Sequence, residues 1–186
     1  MPRQTKIILE DDARENELSL ITHRLPWLAV GLFGGIFATL IASKFETLLQ
    51  SKVELAFFIP VIVYMADALG TQTETIFIRN ITGKKINFSA YLVKELILGI
   101  FIGSLFGLTF GLFAYIFLKS WEISLTLMLA MALTMATAPV VALLVSAGLY
   151  KEHTDPALGG GPFTTIIQDL LSLVIYFSIA SLIILK

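Results

Sequence analysis

The chain has 186 residues and a formal net charge of −1, and 56% of its residues are hydrophobic while only 15% are charged. A soluble domain has roughly 45–50% apolar and 25% charged residues, so this composition indicates an integral membrane protein. The charge balance offers no basic surface for nucleic acid. The absence of cysteine from the sequence excludes disulfides, zinc–thiolate sites and thiol catalysis.

The apolar residues fall into five blocks that are each long enough to cross a bilayer. About 20 apolar residues in a helix span a hydrocarbon core of about 30 Å. The sequence therefore predicts an all-α, multi-pass protein of the cell membrane, with a cytosolic N-terminal tail at 1–24 and a five-helix transmembrane domain at 25–186. The blocks cover residues 25–42, about 55–79, 96–118, 123–150 and 164–185.

Several of these blocks contain residues that disturb helices. Pro26 stands where a helix tolerates proline, so we expect the first span to begin there. The second block is interrupted by Pro60 and by the polar residues between Asp67 and Glu74, and Pro139 predicts a kink or break in the fourth span. The glycine-rich residues 159–162 predict a flexible segment whose carbonyls face an ion.

Glycines recur at every fourth position of the third block, which places them on one face of a helix. Such a stripe lets two helix backbones approach closely, so it predicts tight packing against a neighbouring span. The glycines are Gly99, Gly103, Gly107 and Gly111.

The distribution of Lys and Arg predicts the orientation of the chain. By the positive-inside rule, the side with more of these residues is cytoplasmic, which places the N-terminus inside and the C-terminus outside. An odd number of spans argues against an internal inverted duplication, so we expect symmetry to come from a homodimer. The N-terminal side holds Arg3, Lys6, Arg14, Arg24, Arg79, Lys84, Lys85, Lys94 and Lys151, and the other side holds Lys44, Lys52, Lys119 and Lys186.

Four carboxylates lie in or beside the apolar blocks, at Asp67, Glu74, Glu95 and Asp169. A charge at this depth costs about 2.5–3.5 kcal/mol on insertion scales, so such groups face a watery path or one another. Thr165 lies one helical turn before Asp169 on the same face. Asp67 and Glu74 also share a face, and oxygen ligands of this kind suit Mg²⁺.

Ordinary structural roles are the alternatives for these carboxylates. In these alternatives, Asp169 would pair with a Lys or Arg of another span or lie at the membrane interface, and Asp67 would cap a broken helix. Glu74 would pair with Arg79 or Lys94. For Glu95, the simplest interpretation is an ion-pair partner at the membrane edge. The sequence contains no zinc motif, phosphate-binding loop or catalytic triad, so we expect no enzyme.

Two stretches resemble MgtE-type magnesium transporters, a family related to eukaryotic solute-carrier magnesium transporters. Residues 60–79 resemble the second helix of the family, and residues 155–180 resemble its Asp-Pro-Ala lead-in and last helix. The Lys-Glu pair that opens the third span also fits. The matching residues of the first stretch are Pro60, Gly70, Gln72, Thr75 and Arg79.

The resemblance implies a divalent cation transporter without a resident cofactor, in which Mg²⁺ is the transported ion. Asp169 would coordinate hydrated Mg²⁺ on the axis of a dimer, one copy from each chain. Carbonyls near Thr165 and in the turn that contains Gly70 would complete the shell, with Asp67 and Glu74 as further acidic ligands. The implied function is Mg²⁺ transport through a channel-like pore.

Other functions stay open at this point. Export of Mg²⁺ by exchange with Na⁺ or H⁺ is favoured by the additional carboxylates Asp67 and Glu74. A membrane subunit that scaffolds or senses without transporting is a third class. Among the divalent cations, the sequence does not separate Mg²⁺ from Mn²⁺ and Co²⁺.

The chain departs from the family pattern in two ways. Ala66, Asp67 and Ala68 stand where the family has a Gly-Gly-Asn turn, which adds a carboxylate and removes backbone freedom. We also expect no cytosolic sensing domain, since only about 24 residues precede the first span. Regulation by such a domain is therefore not expected.

Overall fold

The computed structural model describes residues 16–81, 86–151 and 156–185, and within these ranges every regular element is a helix. Five of the six helices are long and apolar enough to cross a membrane, which confirms the predicted five-span, all-α fold. The helices are α1 (Glu17–Ser43), α2 (Glu46–Ser51), α3 (Glu54–Ile81), α4 (Phe88–Leu118), α5 (Trp121–Lys151) and α6 (Pro156–Ile184).

Three spans, α1, α4 and α6, begin eight residues before their predicted apolar blocks. The Asn16 side chain accepts a hydrogen bond from the Ser19 amide at 2.9 Å and caps α1, so Pro26 lies inside that helix. Asn87 caps α4 in the same way, through the Ala90 amide at 3.2 Å. Asparagine is a preferred N-cap, and the charged residues that follow each cap, such as Arg24 in α1 and Lys94 in α4, interrupt the apolar pattern.

Three predicted interruptions are absent. α3 runs without a break past Pro60 and residues 66–70, α5 continues through Pro139, and residues 159–162 belong to α6. The turn at 66–70 and a break at Pro139 were therefore wrong, whereas the kink at Pro139 and the flexibility of residues 159–162 stay predictions. Helices in membranes tolerate Pro and Gly because neighbouring helices and small local adjustments satisfy the freed backbone groups.

Helix α5 lies at the centre of the bundle. It packs against α3, α4 and α6, whereas α1 packs mainly against α6. The short α2 was not predicted, and it lies beside α3 and α6. Just before α2, the Phe45 ring stacks on Phe177 of α6 with 4.7 Å between ring centroids.

The glycine stripe of α4 faces α5, as predicted. A Cβ atom built at Gly103 would lie 2.6 Å from the Ala132 carbonyl oxygen, and one at Gly107 would lie 2.5 Å from that of Met128. Both distances are far below van der Waals contact, so only glycine fits at these positions. The stripe therefore sets the close approach of α4 and α5.

Helices α3 and α6 are antiparallel, and two hydrogen bonds fix their register. The Tyr176 hydroxyl donates to the Leu55 carbonyl at 2.9 Å, near the start of α3. The Thr165 hydroxyl donates to Asp67 Oδ1 at 2.9 Å, near the middle of α3. This register places Asp67 and Asp169 in the central parts of their helices. The predicted direction of the chain across the membrane stays a prediction.

Candidate cation site

Three of the predicted site residues line one cleft on the surface of the bundle. The cleft has a volume of about 410 Å³ and contains Asp67, Thr165 and Asp169. Its remaining walls come from α1, α3 and α6 and are mostly apolar. They are formed by Ala38, Ile59, Pro60, Val63, Tyr64 and Leu173.

The two aspartates of the cleft are half-buried and close enough for their charges to interact. Asp169 follows Thr165 by one helical turn, and Thr165 donates its hydroxyl hydrogen to Asp67. No Lys, Arg or His in the described ranges forms an ion pair with either aspartate. The ion-pair alternative for Asp169 is therefore absent there, and so is the capping alternative for Asp67, which lies inside an unbroken helix.

A second cleft opens on the other side of Asp169, between α1 and α6. It has a volume of about 360 Å³ and shares Ala38, Thr165 and Asp169 with the first. The cleft exists because the α1 residues that line it have small side chains or none. These residues are Gly31, Gly34, Gly35 and Ala38. Counted from Gly31, they follow at three, four and seven residues, which places them on one helix face, and this spacing in the sequence could have identified them.

Gly70 and Glu74 lie outside both clefts. The Gln168 amide occupies the space next to Gly70, where a Cβ atom would overlap it. Glu74 is buried, with 6% of its surface exposed, and lies against Thr164. It makes no ion pair with the described Lys, Arg and His residues, so the predicted pairing with Arg79 or Lys94 does not occur. The ligand roles of Gly70 and Glu74 stay predictions.

Contrary to the prediction, Glu95 forms no ion pair with a Lys, Arg or His of the described ranges. It lies two turns inside α4, is 8% exposed and accepts a hydrogen bond from the Thr73 hydroxyl at 2.9 Å. The sequence interpretation failed because the apolar block starts eight residues after the helix does. Glu95 is therefore a buried carboxylate with a hydrogen-bond donor.

The carboxylates of one chain do not form a complete metal site. Across the three described ranges, no group of three His, Cys, Asp or Glu side chains is close enough to hold an ion together. Asp67 and Asp169 supply two carboxylates, and Thr165 adds a hydroxyl oxygen. Further ligands would have to come from water, backbone carbonyls or a second chain.

The sequence resembles known transporters over the helices that form the cleft. The family model of the divalent cation transporter MgtE matches residues 59–179, which include Asp67, Thr165 and Asp169. A magnesium transporter MgtE of Bacillus subtilis is 32% identical over 161 residues, or 85% of this chain and 36% of the relative.

Two further relatives also have the name magnesium transporter MgtE. The protein of Enterococcus faecalis is 30% identical over 92% of this chain and 39% of its own length. That of Thermus thermophilus is 26% identical over 86% of this chain and 36% of its own length. This chain thus spans less than two-fifths of each relative. Because the family model matches more than half of its residues, the chain belongs to the MgtE family of divalent cation transporters.

Proposed function

We propose that this chain transports Mg²⁺ across the cell membrane through a channel-like path at the axis of a homodimer, and that it is not an enzyme. The relatives named as magnesium transporters support the choice of ion. The observation that carries the proposal is the position of Asp67 and Asp169 in one cleft, in the central parts of two membrane-spanning helices.

The cleft lies on an open face of the single chain. Tyr64 in its wall is 69% exposed, and Pro60 beside it is also exposed. A charged group that faces lipid at this depth costs about 2.5–3.5 kcal/mol, so two carboxylates require a cover of protein and water. A second copy of the chain would close the cleft and add its own Asp67 and Asp169.

A shared, water-filled site suits the chemistry of Mg²⁺. This ion loses its water reluctantly and binds through one or two carboxylates while it keeps several waters. Asp169 would act through the hydration shell, and Thr165 would orient Asp67. The membrane potential supplies about 2.3 kcal/mol per charge per 100 mV, and twice that for a divalent ion.

Flux into proteoliposomes of the purified chain tests the proposal. We expect saturable Mg²⁺ flux that follows voltage, and we expect Asp169→Asn to abolish the saturable part. Glu122→Gln is the matched control, because Glu122 is an exposed carboxylate that is paired with Lys52 at 3.8 Å. Unchanged flux in Asp169→Asn would remove Asp169 from the path.

The same measurement separates the other functions. Flux that requires a Na⁺ or H⁺ gradient at fixed voltage would support exchange instead of a channel. If the wild-type chain passes no Mg²⁺, Mn²⁺ or Co²⁺, a subunit that does not transport is the better description.

A further inference from the structure

A second group of oxygen atoms lies in the interior of the bundle, next to the cleft but not part of it. It consists of Glu74 of α3 and of Thr164 and Gln168 of α6, which we name the inner oxygen cluster. All three residues are buried, with 6%, 2% and 2% of their surfaces exposed. Glu74 lies against Thr164, and Gln168 lies against Gly70, one turn before Glu74.

Two oxygen atoms of this cluster have no hydrogen-bond partner within the described ranges. They are Gln168 Oε1 and Thr164 Oγ1, although the second of these lies against the Glu74 carboxylate. The Gln168 amide is nevertheless held in place, because its Nε2 donates to the Ala138 carbonyl at 3.1 Å. Buried polar atoms are almost always satisfied in folded proteins, so the unpartnered Gln168 oxygen beside a buried carboxylate and hydroxyl requires a partner, which a water or an ion would supply.

The other buried carboxylate of the bundle shows the contrast. Glu95 is buried to almost the same degree as Glu74, but it accepts a hydrogen bond from Thr73. Glu74 has no cation in ion-pair contact in the part of the chain that the structure describes, and its polar neighbour is the Thr164 hydroxyl. The cluster is therefore rich in acceptors and poor in donors.

The position of the cluster connects it to the cleft. Glu74 follows Asp67 by seven residues on one face of α3, which is about 10.5 Å along a helix. On α6, Thr164 and Gln168 directly precede Thr165 and Asp169. Along α3, the cluster lies between the cleft and the helix end that we predict to be cytoplasmic.

We propose that the inner oxygen cluster is a second binding site for the transported divalent cation, one step further along the path than the cleft. The inference rests on the proposed function. A carboxylate, a hydroxyl and an amide oxygen are ligands for a hard divalent cation, with water as the remainder of the shell. Conduction through several sites of moderate strength lets an ion enter and leave.

Binding of Mn²⁺ to the full chain in nanodiscs, followed by electron paramagnetic resonance, tests this site. We expect Glu74→Gln and Thr164→Val each to lose one bound Mn²⁺ per chain, while Asp169→Asn keeps that ion and loses the cleft ion. Glu95→Gln is the matched control and should bind as the wild type does. Thr164→Val keeps the shape of the side chain, so it decides the question if Glu74→Gln does not fold.

The outcomes distinguish this site from the proposed function. If the wild type passes Mg²⁺ in a manner that depends on Asp169, but neither inner variant changes Mn²⁺ binding, the inner site is wrong and the transport proposal stands. An inner site that takes Na⁺ and not Mn²⁺ would likewise overturn it. A wild-type chain that neither binds nor passes a divalent cation would overturn both.

Discussion

The hydrogen bond from Thr165 to Asp67 joins two helices at the point where the acidic residues meet. It holds the Asp67 carboxylate beside the helical face that presents Asp169. We expect Thr165→Val to weaken divalent affinity by about 10-fold or more, because groups that orient acidic ligands typically contribute that much. Titration of Mg²⁺ against bound Mn²⁺ in nanodiscs measures the change.

Thr109→Val is the control for this prediction, since among the described residues the exposed Thr109 hydroxyl donates to the Leu105 carbonyl of its own helix. An equal loss of affinity in both variants would show that Thr165 has no specific role in the cleft.

Asp67 itself is expected to influence which ion is preferred more than whether ions pass. Asp169 remains as the acidic ligand when Asp67 is removed, but the cleft loses charge. Asp67→Ala should therefore change the ratio of Mg²⁺ to Co²⁺ flux in proteoliposomes while most Mg²⁺ flux remains. An unchanged ratio would mean that Asp67 only accepts the Thr165 hydrogen bond.

The buried hydroxyl of Tyr176 fixes the register that brings the cleft residues together. It donates to the Leu55 carbonyl at 2.9 Å, and the residue is only 1% exposed. Tyr176→Phe should lower the free energy of unfolding in detergent by about 1 kcal/mol, the usual net contribution of one hydrogen bond. Tyr115→Phe, at a residue of α4 that is 44% exposed, should leave stability unchanged. Equal stability of both variants would contradict this role.

At the scale of whole helices, the α4–α5 contact depends on the missing side chains of the glycine stripe. A Cβ at Gly107 would meet the Met128 carbonyl, which is backbone and cannot move aside easily. Gly107→Ala should destabilise the chain by roughly 1–3 kcal/mol through overpacking. Thermal unfolding in detergent gives the comparison with Gly148→Ala.

Gly148 is the matched control because nothing lies within 4 Å of a Cβ built there. Alanine in that position should be neutral or stabilising by up to about 1 kcal/mol, since glycine is the poorer helix former. If Gly107→Ala and Gly148→Ala lower the stability of the chain equally, the close packing of α4 against α5 is not the cause of the loss at Gly107.

The sequence predicted which segments cross the membrane better than it predicted how they are shaped. Long apolar runs determine the spans because lipid offers no other partner for backbone groups. The prolines and glycines at 60–70, 139 and 159–162 were misread, since packing against neighbours overrides their local tendency to break helices.

From the sequence, only the part of the candidate site that lies on a single helix could be predicted. The spacing of Thr165 and Asp169 follows from helix geometry, whereas the hydrogen bond from Thr165 to Asp67 joins residues 98 positions apart. That contact depends on the register of α3 and α6, and no local pattern encodes a register. The same limit explains why Glu74 was expected beside Asp67 in the site but is buried against Thr164.

At the scale of the whole molecule, the open cleft argues for a partner chain. The part of the chain that the structure describes assembles only two carboxylates and one hydroxyl there, on a face where Tyr64 is exposed. In a homodimer with two-fold symmetry, the same patch meets itself, so residues near the axis contact their own copies. The rim of the cleft should then lie close to the rim of the partner.

Single cysteines test this arrangement cleanly, because the chain has none of its own. Tyr64→Cys places a thiol on the rim, and oxidation in membranes should trap a dimer because two-fold symmetry brings the two thiols together. Leu108→Cys places one on α4, at a residue that is 61% exposed, and should stay monomeric. Crosslinking at position 108 without crosslinking at 64 would contradict this arrangement, because it would place the interface on α4. The acidic cleft would then face lipid, and two carboxylates are costly in that environment.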